Sequence, residues 1–306
     1  MKNNVELSNK VFLITGASYG IGAATAELLA AELPNINLVI TARSREKLER
    51  VANNCRNNGA KVLVIPADIS DTKTVEMLAR QAIEHFGGVD ILINNAGYGQ
   101  MGPLELVSPE DAKQQFAVNF HGPLTLTQAL IPGMRDRGGG RIINVSSLGG
   151  RMAFPIAGLY SCSKFALEAL SDILRMELSG FNIKVSVVEP GPVKTEFVRI
   201  AKDNIARAMP KPEQNPYAPV VEKFAAIERQ TETLGWTAAR TAKVILRAIT
   251  DRNPRPRYLA ATGGEIFVFL MTKILPTRVT DIFWKWFYGI NRVEQKWREK
   301  AISKQE

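Results

Sequence analysis

The chain has 306 residues, 45 % of them apolar, with 39 Lys and Arg against 30 Asp and Glu for a net charge of +9. The apolar content excludes a wholly disordered chain, and the length accommodates one large α/β domain or two smaller ones. Residues 240–306 hold 14 basic and 6 acidic residues against 25 and 24 in residues 1–239, which excludes a uniformly basic coat for nucleic acid and leaves a basic tail to explain.

The N-terminal stretch Met1–Lys10 is polar and lacks the apolar core of a secretory signal. The two cysteines, Cys55 and Cys162, form neither a disulfide framework nor a metal-ligand spacing, so free thiols in a reducing, cytoplasmic setting are expected. Short apolar, β-branched runs then fall at Val11–Thr15, Asn37–Ala42, Val62–Pro66, Val89–Asn94, Arg141–Ser146 and Lys184–Glu189. Between them lie stretches of helical period at Ile21–Leu33, Arg45–Asn57, Thr72–Phe86, Pro109–Met134 and Leu159–Leu178. Buried strands alternating with helices predict an α/β, Rossmann-type doubly wound parallel sheet.

After Pro190 the texture changes. Residues 196–236 carry few strand signals and several prolines (Pro210, Pro212, Pro216, Pro219), and are read as an insertion over the sheet. A substrate lid or a plain helical excursion packed for stability both fit. Thr237–Thr250 returns to helical period, and Arg257–Ala261 is a last short strand. The expected organisation is a catalytic nucleotide-binding domain over residues 1–262 and an amphipathic helical extension over 263–306. In that extension Glu265–Leu275 carries a short apolar stripe, ended by Pro276. From Thr277, Val279, Ile282, Phe283, Trp286, Phe287, Ile290, Val293 and Trp297 recur at steps of three and four, one apolar helix face. Trp284, Trp286, Trp297 and Tyr288 among lysines and arginines are the residue types of a membrane interface. Packing on the domain or on a dimer mate is the equally open alternative. The longest apolar run, Ile266–Met271, is too short to span a bilayer.

The chemistry-bearing residues sit at strand ends. The first strand closes on Thr15-Gly16-Ala17-Ser18-Tyr19-Gly20-Ile21-Gly22, and a helix follows. Glycines there permit a sharp turn and close approach of a phosphate to the helix N-terminus. Asn94-Asn95-Ala96-Gly97 closes the fourth strand, Asn119 lies in the next helix, and Ser147 follows the fifth strand. Tyr160-Ser161-Cys162-Ser163-Lys164 and Pro190-Gly191, with Thr195 shortly after, complete the set. In this order these motifs resemble the short-chain dehydrogenase/reductase family over roughly residues 8–195. The run Asn94–Leu106 (NNAGYGQMGPLEL) and the extended tail look most like the branch acting on steroids, retinoids and other lipophilic carbonyls.

The resemblance implies an oxidoreductase moving a hydride between a nicotinamide and a carbonyl carbon. Tyr160 is the acid/base group; Lys164, four residues on, lies on the same helix face. A nearby ammonium is expected to lower the tyrosine hydroxyl from its usual value of about 10. Ser147, thirteen residues before Tyr160, would stabilise the substrate oxygen, its neighbour Ser146 pointing the other way. Lys164 would also hold the nicotinamide ribose, and Asn119 joins it in a proton relay. A buried Asn that merely satisfies backbone is the alternative for Asn119.

For the cofactor, Gly16, Ser18, Tyr19, Gly20, Ile21 and Gly22 form the phosphate loop. Arg43 and Ser44 follow the second strand where an acid would select NAD, so NADP(H) is expected and NAD disfavoured. Tyr19 stands where NADP-using relatives often carry a basic residue, and Arg43 could simply begin a solvated helix. Asp68, with Ile69 beside it, resembles the adenine-contacting position; capping the next helix is its alternative. Asn94, Asn95, Ala96, Gly97, Pro190, Gly191, Val193 and Thr195 resemble residues around the nicotinamide and its phosphates. His85 and His121 are read as structural, no metal site is expected, and Cys162 is assigned no chemistry.

The partners expected are a hydrophobic carbonyl or alcohol, a second copy in a dimer or tetramer, a membrane surface at the tail, and no nucleic acid. Two other functions are open. One is 3-oxoacyl thioester reduction, disfavoured by the 45 residues after Ala261. The other is a non-catalytic nucleotide-sensing protein, disfavoured by the intact Ser, Tyr and Lys.

Overall fold

The computed structural model describes residues 6–211 and 215–302. Pro212 and the outer ends of the expected ranges 1–262 and 263–306 lie outside these residues. In β1 (Val11–Thr15) successive side chains take opposite faces. Phe12 and Ile14 enter one core, Val11 and Leu13 the other.

The chain continues through α1 (Gly20–Glu32), β2 (Asn37–Ala42), α2 (Arg45–Asn57), β3 (Lys61–Pro66), α3 (Thr72–Phe86) and β4 (Ile91–Asn94). Next come α4 (Pro109–Phe116), α5 (Gly122–Asp136), β5 (Gly140–Val145), α6 (Gly158–Glu177) and β6 (Ile183–Pro190). The last part holds β7 (Val193–Lys194), α7 (Glu196–Ala208), α8 (Ala218–Leu234), β8 (Trp236–Thr237), α9 (Ala238–Thr250) and β9 (Arg257–Ala260). It ends in α10 (Gly264–Phe269), α11 (Thr277–Tyr288) and α12 (Ile290–Ile302).

Seven strands form one sheet in the order β3-β2-β1-β4-β5-β6-β9, every pair parallel. Parallel neighbours need crossovers, so α1, α2 and α9 cover one face through Leu29, Leu48 and Ile249. The other face is covered by α3, α5 and α6 through Leu78, Leu126 and Leu174. Each such side chain contributes on the order of 1.5–3 kcal/mol by leaving water. This is a single Rossmann-like domain, as the sequence predicts, with strand ends within two residues of expectation.

Three departures bear on the site. The helix expected over Pro109–Met134 is interrupted by a π turn at Ala117–His121 between α4 and α5. Pro123 has no N–H for the Asn119 carbonyl one turn back, and Gly122 N–H bonds Ala117 O instead. Next, the excursion over residues 196–236 is pinned at both ends: β7 pairs with β8, and Trp236 N–H donates to Pro192 O at 3.0 Å. Finally, the tail stripe is not one face. Phe283, Ile290 and Val293 pack inward, while Val279, Ile282, Trp286 and Trp297 are exposed. α12 lies on α8, with Gly289 against Lys223 and Pro219. No described helix is long and apolar enough to cross a membrane.

Candidate active site

The C-terminal ends of the sheet strands border a cavity of about 1040 Å³. Its floor begins at the glycine turn. Gly16 and Gly20 have φ +66° and +60°, and a Cβ on Gly22 would lie 2.3 Å from Gly16 O. Only glycine suits this turn. Asn95 ties it to β4: its Nδ2 donates to Thr15 O at 2.9 Å and Gly16 O at 3.2 Å. Thr15 Oγ1 accepts the N–H groups of Asn95 and Ala96 at 3.0 and 2.9 Å.

This end of the cavity suits an anionic nucleotide. Ser44 caps α2 and Asp71 caps α3, but no side chain caps α1, so its first N–H groups are left for an anion. Arg43 lines the cavity, is exposed, and makes no ion pair among the described residues. Thr41 Oγ1 also lines it, buried and without a partner among the described residues. Lys47 Nζ lies 5.9 Å from the Tyr19 ring centroid. Asp68 accepts from Ser70 N and Oγ at 2.9 and 2.8 Å, so it is not the cap of α3.

Most of the sequence-predicted residues meet here: Gly16, Ser18, Tyr19, Gly20, Ile21, Arg43, Ser44, Asp68 and Ile69 at one end, Asn95, Ala96, Gly97, Pro190, Gly191, Val193 and Thr195 further in. Thr195 caps α7 through Phe197 N–H and stands 3.2 Å from where a Gly20 Cβ would be. Asn94 is not among them. It is buried, donating to Asn144 Oδ1 at 2.9 Å and Thr127 Oγ1 at 3.2 Å, an inter-strand tie below the site. Gly22 and Asn119 do not line the cavity either.

Ser147, Tyr160 and Lys164 do line it. α6 presents Tyr160 and Lys164 one turn apart, and Lys164 Nζ donates to Val145 O at 2.8 Å. Ser147 Oγ accepts Gly149 N–H at 3.0 Å. Ser146 Oγ turns the other way, toward Gly150 and Glu168, as strand alternation predicts. A Cβ on Gly97 would sit 3.2 Å from Asn119 Oδ1 and 3.4 Å from Lys164 Nζ. Asn119 holds the loop after β4: Oδ1 accepts Tyr98 N–H at 3.1 Å, and Nδ2 donates to Tyr98 O and Ser163 Oγ, both at 3.0 Å.

Burial pushes the Tyr160 hydroxyl up to about 12, with the Ser147 hydroxyl opposing. The expected lowering by Lys164 is absent, because the ammonium itself is buried: desolvation pulls Lys164 down to about 8, with Glu168 opposing. Tyr160 is therefore a proton holder at neutral pH, and Lys164 titrates within reach of physiological pH.

Several wall residues escaped the sequence reading. Phe154, Phe197, Phe267, Phe283, Trp284 and Tyr288 also line the cavity, and Phe154, Phe267, Phe283, Trp284 and Tyr288 form one aromatic cluster. The Phe197 ring from α7 lies 5.2 Å from Tyr160, and Phe154 lies 4.7 Å from Trp284 of α11. Gln115 and Asn204, both buried, bond Gln100 N–H with Tyr98 O, and Gly99 O, respectively. Ile156, before α6, has φ +70°, unusual for a β-branched residue. The sequence signal for the wall was the aromatic density of the tail.

The chain matches the short chain dehydrogenase family over residues 10–206, and it belongs to that family. It is 31 % identical over 281 residues to a 3-ketodihydrosphingosine reductase of Bacteroides thetaiotaomicron, covering 92 % of this chain and 98 % of that one. It is also similar to a crystal structure of a short chain dehydrogenase/reductase of Burkholderia phymatum in complex with NAD: TM-score 0.74, 28 % identity, 87 % of this chain and 94 % of that one covered. A metagenomic short-chain oxidoreductase in complex with NADP shares 35 % identity at TM-score 0.58, over 61 % of this chain and 84 % of that one. This protein is an oxidoreductase of the family that acts on CH–OH groups, with solved neighbours that bind NAD or NADP.

Proposed function

We propose that this protein is an NADP(H)-dependent reductase of hydrophobic carbonyls. One observation carries the reading: Ser147, Tyr160 and Lys164 line one cavity together with the glycine turn and Arg43 and with a cluster of aromatic side chains. The nicotinamide supplies or accepts the hydride. Neutral Tyr160 gives its proton to the carbonyl oxygen, and Ser147 donates a hydrogen bond to that oxygen as negative charge develops. Lys164 restores the Tyr160 proton and holds the ribose, with Asn119 positioning the loop against which Lys164 sits. Arg43 favours the 2′-phosphate of NADP, since a guanidinium without an ion pair among the described residues matches phosphate and no acid stands at the end of β2.

The aromatic cluster favours a long or bulky apolar ketone, in line with what the Bacteroides relative's name says of its own substrate. A second copy would meet the exposed apolar residues of α6, Phe165, Ile173 and Met176. The tail helices would meet a membrane surface. The test is NADPH consumption against a panel of long-chain ketones, bulky aldehydes and acyl thioesters. Turnover of the ketones with NADPH over NADH supports the reading; turnover of thioesters alone overturns the substrate class, and binding without any turnover overturns the enzyme.

A further inference from the structure

Among the described residues nineteen large apolar side chains are exposed, and ten of them fall between Ile266 and Ile302. They are not scattered. Ile266, Phe269, Leu270 and Ile274 share the outer side of α10 and the π turn that follows it, and Val279, Ile282 and Trp286 the outer side of α11. Their exposure is large: 69 % for Ile266, 69 % for Ile282 and 58 % for Trp286. The inner side of the same two helices is the aromatic wall of the cavity, through Phe267, Phe283, Trp284 and Phe287.

α10 and α11 are therefore apolar on both sides. An exposed apolar helix face is stabilised by a second apolar surface, and on α11 Arg278, Asp281 and Lys285 occupy the positions between the two apolar sides. On the inner side that surface is the cavity wall. On the outer side none of the described residues covers it.

We infer that the outer face of α10 and α11 docks in the plane of an anionic lipid surface, so that a lipophilic substrate passes from the bilayer between these helices into the cavity. The substrate half of this inference rests on the proposed reductase activity; the docking half does not. Three observations favour lipid over a second copy. Around the apolar row stand Lys273, Arg278, Lys285 and, over Trp286, Lys223, against Glu265 and Asp281, so a two-fold contact through this face gathers an excess of like charge, whereas anionic headgroups complement it. Lys273 and Arg278 flank the apolar row and make no ion pair among the described residues. Lys223 Nζ lies over the Trp286 ring, 5.4 Å from its centroid, so a cation stands beside an exposed tryptophan, the pairing suited to the headgroup boundary. α11 has 12 residues, so it lies in the interface and does not span it.

The test uses the full chain with phosphatidylcholine vesicles, with and without phosphatidylserine, in a flotation assay. Wild type is expected to float with the anionic vesicles, and the double variant Ile266→Glu/Ile282→Glu to lose about tenfold or more of that partitioning. The variant should keep wild-type turnover of a short water-soluble aldehyde and lose turnover of a long-chain ketone presented in vesicles. Lys273→Glu/Arg278→Glu, which spares the apolar row, should lose the preference for phosphatidylserine. Absence of wild-type flotation on either vesicle overturns the docking, as does equal flotation of the double variant. A double variant that changes oligomeric size by light scattering also overturns it, in favour of a second copy. If wild type floats but reduces no carbonyl, the docking stands and the reductase reading fails.

Discussion

Lys164 donates from Nζ to the backbone carbonyl of Val145 at 2.8 Å, joining the middle of α6 to the last residue of β5. That bond places the ammonium beside Tyr160 and at the root of the Ser146-Ser147 turn. The ammonium is buried there, and loss of water pulls Lys164 down to about 8, while its own burial pushes Tyr160 up to about 12.

Tyr160→Phe removes the hydroxyl that α6 presents to the cavity as proton donor. We expect turnover to fall by roughly 10²–10⁴-fold, the range for a lost general acid. NADPH affinity, measured by quenching of intrinsic fluorescence, should stay within a few-fold. A variant that remains active would refute the assignment.

The depressed value of Lys164 sets a pH dependence. Its charged form is lost as pH rises through about 8, so the reductive rate should fall above that pH if the ammonium resupplies the proton. The folded-state value lies below the ordinary lysine value, so the unfolded chain binds the extra proton and stability should rise from about pH 8 toward 10.4. A Lys164→Met variant should lack the alkaline limb of the rate profile. Rate and melting temperature across pH 6–10 give both readouts.

Arg43→Ala tests cofactor choice. A charge-assisted hydrogen bond contributes about 1.5–3 kcal/mol, so KM for NADPH should rise about 10–100-fold while KM for NADH moves little. Equal effects on both cofactors would mean that Arg43 does not read the 2′-phosphate.

Asn95→Ala leaves the carbonyls of Thr15 and Gly16 without their donor at the glycine turn. The expected cost is about 1–3 kcal/mol of stability. NADPH binding should weaken in parallel, because the turn is held from β4 and not by its own residues. Chemical denaturation and a cofactor titration on one preparation separate this from a purely global loss.

Glu168 shares Arg257 with Glu189 and Asp172, at 3.1, 3.3 and 2.6 Å. Burial, then the neighbouring Glu189 carboxylate, raises Glu168 well above the carboxylate range. The folded state thus binds the proton more tightly than the unfolded chain, and stability falls as pH rises from the ordinary carboxylate value through the raised one. Glu168→Gln keeps the oxygen that accepts from Arg257 and removes the titration. It should melt a few degrees above wild type at pH 8, with the gap closing toward pH 4. A gap that stays constant with pH would show that Glu168 does not titrate in that window.

Much of the site was readable residue by residue. Gly16, Gly20 and Gly22 declare the turn because no other residue fits their backbone, and Tyr160 and Lys164 declare a shared helix face through their spacing. Asn94 misled, since its neighbour Asn95 reaches the turn while Asn94 points into the sheet; adjacent residues at a strand end diverge, and the motif does not say which is which. The π turn at Asn119 was hidden inside a long helical period in which Pro123 interrupts the bonding and Pro132 does not end the helix. The β7–β8 ribbon that closes the base of the 196–236 excursion is two residues per strand, too short to carry any period.

The opening charge imbalance shows the same division. From the sequence alone it was determined that the excess sits in the last quarter, that the body is a nearly neutral α/β sheet, and that the tail is helical and apolar. Whether that tail turned one apolar face inward or outward was beyond it, because a stripe at steps of three and four has no sign until something packs against it. Only the tertiary structure decided this, by seating Phe283 and Phe287 against the cavity while leaving Ile282 and Trp286 exposed on the same helix.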